Sequence, residues 1–303
     1  DKIVSGQESY PPVARCSLAR RIMPELPEVE TMRRGIAHLV GHRIRSVERL
    51  PCHVKPIAIS PGMTTFRRRV VGNRIVNVGR IGKRVVLDLE NDDHMIFEPR
   101  MTGLVLLTDP PTLEHLRFRV DLAGGETKSI WYWDRRGLGS VRLLSSRQFS
   151  QQLGSNKFGP DALVVTAEAL RDSLRSSRRA VKVALLDQRI VAGIGNLYAS
   201  EILHLARIHP AKRCDLLTKA QWQRIVEATH AILNEAIRYE GSTLSDGTYR
   251  NALNKAGGYQ NHHQVYNRAD LPCPRCEQAA IVRIVQTQRS TYFCPACQRK
   301  NNR

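Results

Sequence analysis

Between residues 43 and 144, apolar and β-branched residues occur in short runs that alternate with polar turn residues. Short runs at this spacing predict an antiparallel β-sandwich or barrel. Asn91-Asp92-Asp93 and Gly124-Gly125 are expected to form hairpin turns between strands. The runs are RIRSVERL, NRIVNV, KRVVLDLEN, HMIFEP, GLVLLTD, LRFRVDL and SIWYWD.

On both sides of this region the apolar residues follow a helical period. A first helix is expected behind Pro24 and ahead of Gly41. A longer helix is expected between Trp222 and Ile237, where an apolar stripe precedes Gly241. The apolar face of the first helix comprises Val29, Met32, Ile36, Leu39 and Val40. The pattern therefore predicts an α+β protein of two domains, β-rich in the N-terminal half and largely helical in the second.

Changes of pattern divide the chain into four parts. Residues 1–22 show neither period and are expected to be a non-catalytic extension. Residues 23–150 are expected to form the β-sandwich domain, and residues 151–258 the helical domain. Residues 259–303 form a cysteine-rich tail.

The charge of the chain points to a class of partner. The 303 residues include 47 Lys and Arg against 28 Asp and Glu, a formal net charge of +19. Such an excess, spread over the whole length, favours nucleic acid over the alternative of a solubilising basic surface. A hydrophobic content of 42% excludes a disordered tail protein. No apolar stretch approaches the roughly 18 residues of a membrane span, so we expect a cytoplasmic protein without a membrane partner.

The tail contains a metal-binding pattern. Cys273, Cys276, Cys294 and Cys297 follow the spacing C-x2-C-x17-C-x2-C, which lets two turns place four thiolates at the corners of a tetrahedron. One structural Zn2+ is predicted, because two disulfides would be unusual in an intracellular chain. Four thiolates leave no position for a reactive water, so the ion is expected to stabilise a hairpin. His262-His263 is a weaker candidate for zinc binding and is expected in a solvated loop.

Two further sites are candidates for contacts with phosphate. Gly193-Ile194-Gly195-Asn196 joins two helical runs, and Asn196 is a good N-cap, so the next helix start could bind a phosphate through its N–H groups. A glycine-rich joint without a ligand remains the alternative. Arg289 is expected near the turn of a basic β-hairpin between the cysteine pairs, where the alternative is a solvated loop arginine.

The segment Met23-Pro24-Glu25-Leu26-Pro27-Glu28 has two interpretations. Locally it is an ordinary helix start, since proline and acidic residues suit the first turn. If Met23 is the initiator and is removed, Pro24 becomes a secondary amine that can attack a sugar carbon and form an iminium, with Glu25 as a proton source. With Ile22 and Met23 in place the nitrogen of Pro24 is an amide and cannot be a nucleophile. We therefore expect the working protein to lack residues 1–22.

Four motifs together resemble the formamidopyrimidine-DNA glycosylase (Fpg/Nei) family. They are MPELPEVETMRR from Met23, DQRIVAGIGNLYASEILHLARIHP from Asp187, Val265-Tyr266-Asn267-Arg268, and QRSTYFCPAC from Gln288. The resemblance covers residues 23–299 and implies a helix-two-turn-helix DNA-binding domain followed by a zinc finger with four cysteine ligands. It also implies a monomeric base-excision repair enzyme that acts on double-stranded DNA containing oxidised bases or abasic sites.

The resemblance implies a bifunctional glycosylase and AP lyase. Pro24 matches the nucleophile that displaces 8-oxoguanine or a formamidopyrimidine and remains attached as a Schiff base until β,δ-elimination cleaves the strand. Glu25 matches the proton donor that assists sugar opening, and Glu28 a supporting acid. Lys83 matches a lysine near the lesion, although an exposed β-edge lysine is the alternative. Arg289 matches an arginine that holds flanking phosphates and supports strand cleavage.

The resemblance also implies DNA-binding residues. Asn196 and Arg268 lie in motifs that bind DNA, Asn196 through phosphate. An extruded nucleotide leaves a gap that inserted side chains must fill. Met101 matches the void-filling methionine, for which core packing is the alternative. Arg136 and Leu138 match the residues that enter the helix opposite the lesion.

The sequence departs from the family in two places. The family commonly has His-Leu-Gly-Met-Ser-Gly where this chain has Glu98-Pro99-Arg100-Met101-Thr102-Gly103. It commonly has Asp-Pro-Arg-Arg-Phe-Gly where residues 134–139 read DRRGLG, so Gly137 replaces an arginine and Leu138 an aromatic wedge. The altered Gly137-Leu138 pair keeps open the alternative of an oxidised-pyrimidine (endonuclease VIII-like) glycosylase. A non-catalytic zinc-containing binder of damaged DNA is the alternative if residues 1–22 persist in the cell.

Overall fold

The computed structural model describes residues 24–154, 157–244 and 247–300. The expectation for residues 1–22 lies outside the described residues. Among the described helices, none combines the length and the apolar character that a membrane crossing requires.

Helix α1 spans Leu26–Gly35 and begins behind Pro24, as predicted. It ends earlier than the apolar period indicates, because Ile36 leaves helical geometry at φ −105° and ψ 4° and a 3-10 turn follows at Ala37–Leu39. Val40 is therefore 49% exposed instead of sharing the buried face. At the end of the helix Gly35 packs against Ala252, where a Cβ would be only 2.5 Å from the alanine Cβ.

Residues 43–145 form the predicted β-sandwich. One sheet has the strand order β1-β7-β8-β6 and the other β2-β9-β5-β4-β3. All strand pairs are antiparallel except β2 with β9, which are parallel. The sequence pattern predicted neither this parallel pair nor helix α2 (Met63–Val70). The strands are β1 Arg43–Arg49, β2 Ala58–Ser60, β3 Ile75–Ile81, β4 Arg84–Leu89, β5 Asp93–Glu98, β6 Gly103–Leu106, β7 Leu116–Ala123, β8 Ser129–Asp134 and β9 Ser140–Ser145.

Aromatic rings fill the space between the two sheets. Phe118 lies centrally, with its ring centroid 5.4 Å from that of Phe66 and 6.5 Å from that of Phe97 in edge-to-face geometry. All three side chains are fully buried. Edge-to-face contacts are favourable because the positive ring edge meets the negative ring face.

The second domain is helical, as predicted. The apolar stripe of its longest helix, α7, is buried from Trp222 to Ile237, and Gly241 ends the segment with φ +80°. Its helices are α3 Ser146–Leu153, α4 Ala167–Leu174, α5 Val181–Leu185, α6 Asn196–Leu205 and α7 Lys219–Arg238. Further 3-10 turns lie at Leu113–His115, Cys214–Leu216 and Tyr259–His262.

The tail forms a β-hairpin of strands β10 (Val282–Gln286) and β11 (Arg289–Phe293). Gln286 pairs with Arg289, so the turn consists of Thr287 and Gln288, both with positive φ. The expected position of Arg289 next to the turn is confirmed.

Several contacts join the sandwich to the helical domain, and two of them involve the start of α1. Leu26, at the start of α1, is buried in the core of the helical domain, and its N–H donates to the carbonyl of Gly193 at 3.1 Å. Arg80 of β3 bridges Glu30 of α1 at 3.1 Å and Asp161 of the second domain at 2.7 Å, with 8% of its side chain exposed. The start of α1, directly behind Pro24, is thus fixed between the two domains.

Replacing Arg80 with methionine should lower the free energy of unfolding by about 3 kcal/mol, because two carboxylates lose a buried partner. Denaturant unfolding measures this change. Arg171→Met is the matched control, since Arg171 pairs with the exposed Asp172 and such pairs contribute at most about 1 kcal/mol. Equal effects of the two substitutions would contradict a role for Arg80 in joining the domains.

Candidate active site and metal centre

The carboxylate of Glu25 lies at the N-terminus of helix α6. Its oxygens accept hydrogen bonds from the N–H groups of Leu197 at 3.0 Å and Tyr198 at 3.4 Å. A carboxylate suits this position because the helix dipole is positive there. The sequence pattern predicted a phosphate at this helix start, and for these two N–H groups that prediction is wrong. Gly195 makes the approach possible, since a Cβ there would collide with the Glu25 carboxylate.

Pro24 lies directly before Glu25 and is buried. Burial raises the pKa of the Glu25 carboxyl group, although the charge of Lys83 and the helix N–H groups oppose the shift. Lys83 occupies the turn between β3 and β4 and is partly buried, so it is not an exposed edge lysine. Loss of solvent lowers the pKa of its amine, with Glu25 opposing and Arg289 reinforcing the shift. The structure thus brings Pro24, Glu25, Lys83 and Arg289 to one site.

Glu28, one turn into α1, is 3% exposed and accepts three hydrogen bonds. The donors are the N–H of Glu25 at 2.9 Å, the hydroxyl of Tyr198 at 2.6 Å and the N–H of Ser242 at 2.9 Å. Burial raises the pKa of Glu28 to about 7, and the charge of Glu25 adds to the rise. Glu28 therefore orients the peptide that follows Pro24 and connects α1 to the helical domain.

Asn196 is the first residue of α6, whereas the N-cap is Gly195 and not Asn196 as predicted. Its amide donates to the carbonyl of Ser290 at 3.0 Å, beside Arg289 in the hairpin. Lys182 of α5 donates to the amide oxygen of Asn196 at 2.6 Å and to the hydroxyl of Thr291 at 2.8 Å. These contacts dock the hairpin onto the helical domain and leave Arg289 exposed at its edge.

Lys182 was not identified from the sequence. It is 1% exposed, and burial lowers its pKa to about 7. The available signal was a single lysine within the apolar run AVKVALL. A lysine can be buried when hydrogen-bond acceptors surround its ammonium group, and here the acceptors belong to residues of α6 and β11.

The four predicted cysteines converge on one point. Their sulfur atoms all lie within 4.8 Å of one another, with 3.6 Å between Cys276 and Cys294 and 4.0 Å between Cys273 and Cys297. Zn–S bonds of about 2.3 Å in a tetrahedron require sulfur separations of about 3.8 Å, whereas a disulfide requires about 2.05 Å. The residues therefore fit one tetrahedral Zn2+.

The two histidines before the finger do not lie in a solvated loop, so that prediction from the sequence is wrong. His262 stacks on Tyr239 with ring centroids 3.9 Å apart. His263 is 7% exposed, and its Nε2 lies 3.1 Å from the hydroxyl oxygen of Ser242. Among the described residues, the metal-binding cluster consists of the cysteines and does not include either histidine.

Glu201 of α6 fixes the segment that leads into the finger. Its buried carboxylate accepts the N–H groups of Gln264, Val265 and Tyr266 at 2.7 to 3.1 Å. Arg268 follows this segment and is partly buried, with its charge near Glu201. The structure therefore places Arg268 beside helix α6.

Met101 and Arg136 meet on the surface of the sandwich. Met101 is partly exposed in the turn after β5, so core packing does not explain it. The guanidinium of Arg136 contacts its sulfur at 3.3 Å, and Leu138 lies partly exposed in the same loop as Arg136. The fully buried Asp134 begins the motif of residues 134–139, but the sequence assigned it no role. It accepts the N–H groups of Arg136 at 3.1 Å and Gly139 at 2.7 Å and so shapes the loop.

Three family models match the chain in order. They are the formamidopyrimidine-DNA glycosylase N-terminal domain over residues 23–141, the H2TH domain of the same enzyme over 158–248, and a zinc finger found in FPG and IleRS over 270–299.

Curated relatives are similar over most of the chain. The formamidopyrimidine-DNA glycosylase of Chloroflexus aurantiacus is 41% identical over 281 residues, which cover 91% of this chain and 98% of the relative. That of Streptococcus mutans is 38% identical over 284 residues, covering 92% and 100%.

Solved structures share the fold. The MutM (Fpg) protein from Thermus thermophilus is 34% identical with a TM-score of 0.79, covering 92% of this chain and 100% of that one. A complex between Lactococcus lactis Fpg and abasic site containing DNA is 32% identical with a TM-score of 0.80, covering 91% and 100%. A Lactococcus lactis Fpg mutant with Fapy-dG containing DNA is 33% identical, also with a TM-score of 0.80, covering 91% and 100%.

Glu28 should give the stability a pH dependence of defined sign. The folded protein retains the Glu28 proton up to about pH 7, whereas the ordinary value is 4.5. Because the folded state binds more protons in this interval, the free energy of unfolding falls as the pH rises through it. The variant Glu28→Gln has no proton to release at this position. Between pH 5 and pH 8 the free energy of unfolding of the wild type should therefore fall by roughly 3 kcal/mol relative to that of the variant.

The control for this measurement is Glu30→Gln on the same helix. Burial raises the pKa of Glu30, but hydrogen bonds from Arg33 and Arg34 outweigh this and lower it overall. Its stability difference from wild type should therefore stay constant above pH 5. A constant difference for Glu28→Gln as well would show that Glu28 is ionised in the folded protein throughout this range.

Cys294→Ser should abolish the binding of one Zn2+ per chain, because the site loses one of four ligands. Without the ion, amide hydrogen exchange in β10 and β11 should become fast, since metal binding and folding are coupled in such small sites. Metal analysis and exchange mass spectrometry provide the two measurements. Cys52→Ser, remote from the cluster, should retain one Zn2+ per chain. A hairpin that stays protected without metal would contradict the structural role of the ion.

Proposed function

The chain belongs to the formamidopyrimidine-DNA glycosylase family of base-excision repair enzymes, and we propose that it excises oxidised purines from DNA and then cleaves the strand as a lyase. The observation that carries the proposal is the meeting of Pro24, Glu25, Lys83 and Arg289 at the junction of the two domains. Related solved structures contain DNA with an abasic site or with Fapy-dG. We further propose that the protein acts as a monomer inside the cell.

In the proposed reaction, the nitrogen of Pro24 attacks C1' of the damaged nucleotide and the glycosidic bond breaks, so that the oxidised base leaves with the bonding electron pair and takes up the proton released from the proline nitrogen. The lone pair that this deprotonation restores to the nitrogen then forms the C1' iminium as the C1'–O4' bond breaks, and Glu25 donates a proton to the ring oxygen. This requires a free secondary amine, so the active chain begins at Pro24. Elimination of the 3' and then the 5' phosphate completes the proposed β,δ-cleavage.

The electrostatics of the site support these roles. A carboxyl group must hold a proton near neutral pH to act as a general acid, and burial raises the pKa of Glu25 in that direction. Lys83 contributes positive charge where phosphate and the departing base would lie. Glu28 holds the N–H of Glu25 and thereby fixes the orientation of the adjacent proline.

We assign DNA binding to two surfaces. Asn196 and Arg289 hold the phosphates of the lesion strand, and the docked zinc finger sets the distance between them. Met101, Arg136 and Leu138 fill the gap left by the extruded nucleotide and face the complementary strand. Arg268 adds a positive charge at the base of the finger.

Borohydride trapping of a protein that begins at Pro24 tests the mechanism. The substrate is a duplex with one 8-oxoguanine opposite cytosine, and the attached residue is mapped by mass spectrometry. We expect a cross-link at Pro24, because reduction converts the iminium to a stable amine. The 303-residue chain should bind the duplex without a cross-link, since its proline nitrogen is an amide.

Glu25→Gln in the protein beginning at Pro24 is the matched control, and it should bind the duplex with little cross-linking. A cross-link to an oxidised-pyrimidine duplex alone would reassign the substrate class to the endonuclease VIII type. Binding of both lesions without a cross-link to either would identify a non-catalytic binder of damaged DNA.

A further inference from the structure

Gly137 marks a place where two distant segments meet. It lies between β8 and β9 with φ +59°, in the left-handed region that favours glycine. A Cβ at this position would fall on the carbonyl oxygen of Lys55 and lie 3.3 Å from the Cβ of Lys55. The position therefore has no room for a side chain, and the side chain of Lys55 starts 3.3 Å from the point where that of residue 137 would start.

Contacts made by the buried Arg117 connect the two segments. Arg117 of β7 is 1% exposed, and its Nε donates to the carbonyl of Asp134 at 2.9 Å. Its Nη1 contacts the sulfur of Cys52, and that thiol lies 3.9 Å from the carbonyl oxygen of Lys55. The same Asp134 shapes the loop that carries Arg136. Lys55 is therefore fixed relative to Arg136 through one buried guanidinium.

The local chain and charge favour an ordered cation at this position. Lys55 is exposed and precedes Pro56, which restricts its backbone to extended conformations. Residues 51–57 contain no acidic residue. Within residues 134–139 the acidic residue is Asp134, which is buried and bonded inward, whereas Arg136 is exposed. The surface formed by Lys55, Arg136 and Leu138 is consequently basic around an apolar tip.

We propose that Lys55 binds a backbone phosphate of the strand opposite the lesion and supplies the positive charge that residue 137 cannot carry. The inference rests on the proposed function, in which Arg136 and Leu138 enter the helix opposite the lesion. The backbone nearest to these two residues is then that of the complementary strand. A lysine ammonium acts as a point charge and binds phosphate without reading a base. The contact therefore strengthens binding equally for every opposite base.

Equilibrium binding of the zinc-loaded 303-residue chain tests this role without requiring a free proline amine. The probe is a duplex with a tetrahydrofuran abasic analogue opposite each of the four bases. Lys55→Gln should weaken binding about fivefold at low salt for all four duplexes. The slope of log affinity against log salt should fall in magnitude by about 1. Lys55→Arg should retain wild-type affinity.

Lys128→Gln is the matched control. Lys128 lies in the turn before β8, at the opposite end of this strand from the Gly137 loop, and donates to the carbonyl of Gly125 at 2.9 Å. It should bind every duplex as the wild type does. Thermal unfolding of all variants confirms that the exposed substitutions leave the fold intact.

Neutral methylphosphonates identify the strand. Methylphosphonates placed on the complementary strand, around the base opposite the abasic analogue, should remove the difference in affinity between wild type and Lys55→Gln. Methylphosphonates on the lesion strand should leave that difference unchanged. If the methylphosphonates act from the lesion strand instead, the role of Lys55 is overturned. It is also overturned if Lys55→Gln and Lys128→Gln bind equally in a chain that prefers lesion duplex. Neither result affects the proposed function. A wild-type chain that binds lesion and intact duplexes equally overturns the proposed function and this assignment with it.

Discussion

The carboxylate of Glu25 at the start of α6 is the interaction on which the site depends. It accepts the N–H groups of Leu197 and Tyr198, which have no partner within the helix, and it lies at the positive end of the helix dipole. The contact seats the first turn of the sandwich domain on the helical domain, and Gly195 permits it because a Cβ would occupy the same space. The position of Pro24 follows from this contact, since it is the neighbouring residue.

The same burial makes the site electrostatically unusual. Glu25 and Glu28 lie within one turn of α1, and burial raises the pKa of both carboxyl groups. Lys83 and Lys182 approach from other elements, and burial lowers the pKa of both amines. Such opposed shifts bring acids and bases towards neutrality and are a property of catalytic sites. The cost of desolvating these groups is offset by the apolar cores on either side.

Local pattern predicts the elements of this fold well and their long-range partners poorly. The β runs, the stripe of α7 and the cysteine cluster depend on short-range periodicity or spacing. Strand β2 was missed because its three residues pair with β9, some 80 positions later. The local sequence predicts a helix cap at Asn196, whereas its amide binds Ser290 in the distant hairpin. Of the site, the motif residues could be named in advance, but the structural role of Asp134 and the burial of Lys182 could not, since both depend on contacts with other segments.

The Gly137 loop shows why transfer of residue roles by motif alone is incomplete. A motif compares aligned sequence positions one by one, whereas DNA binding depends on where a positive charge lies in the folded protein, whichever segment supplies it. In this chain the backbone of Lys55 occupies the side-chain space of residue 137, and a lysine side chain begins 3.3 Å from the vacated Cβ position. The buried Arg117 makes this substitution across segments possible, because it binds the backbone of Asp134 and contacts Cys52. Differences in such a loop are therefore best interpreted together with the segment that packs on it.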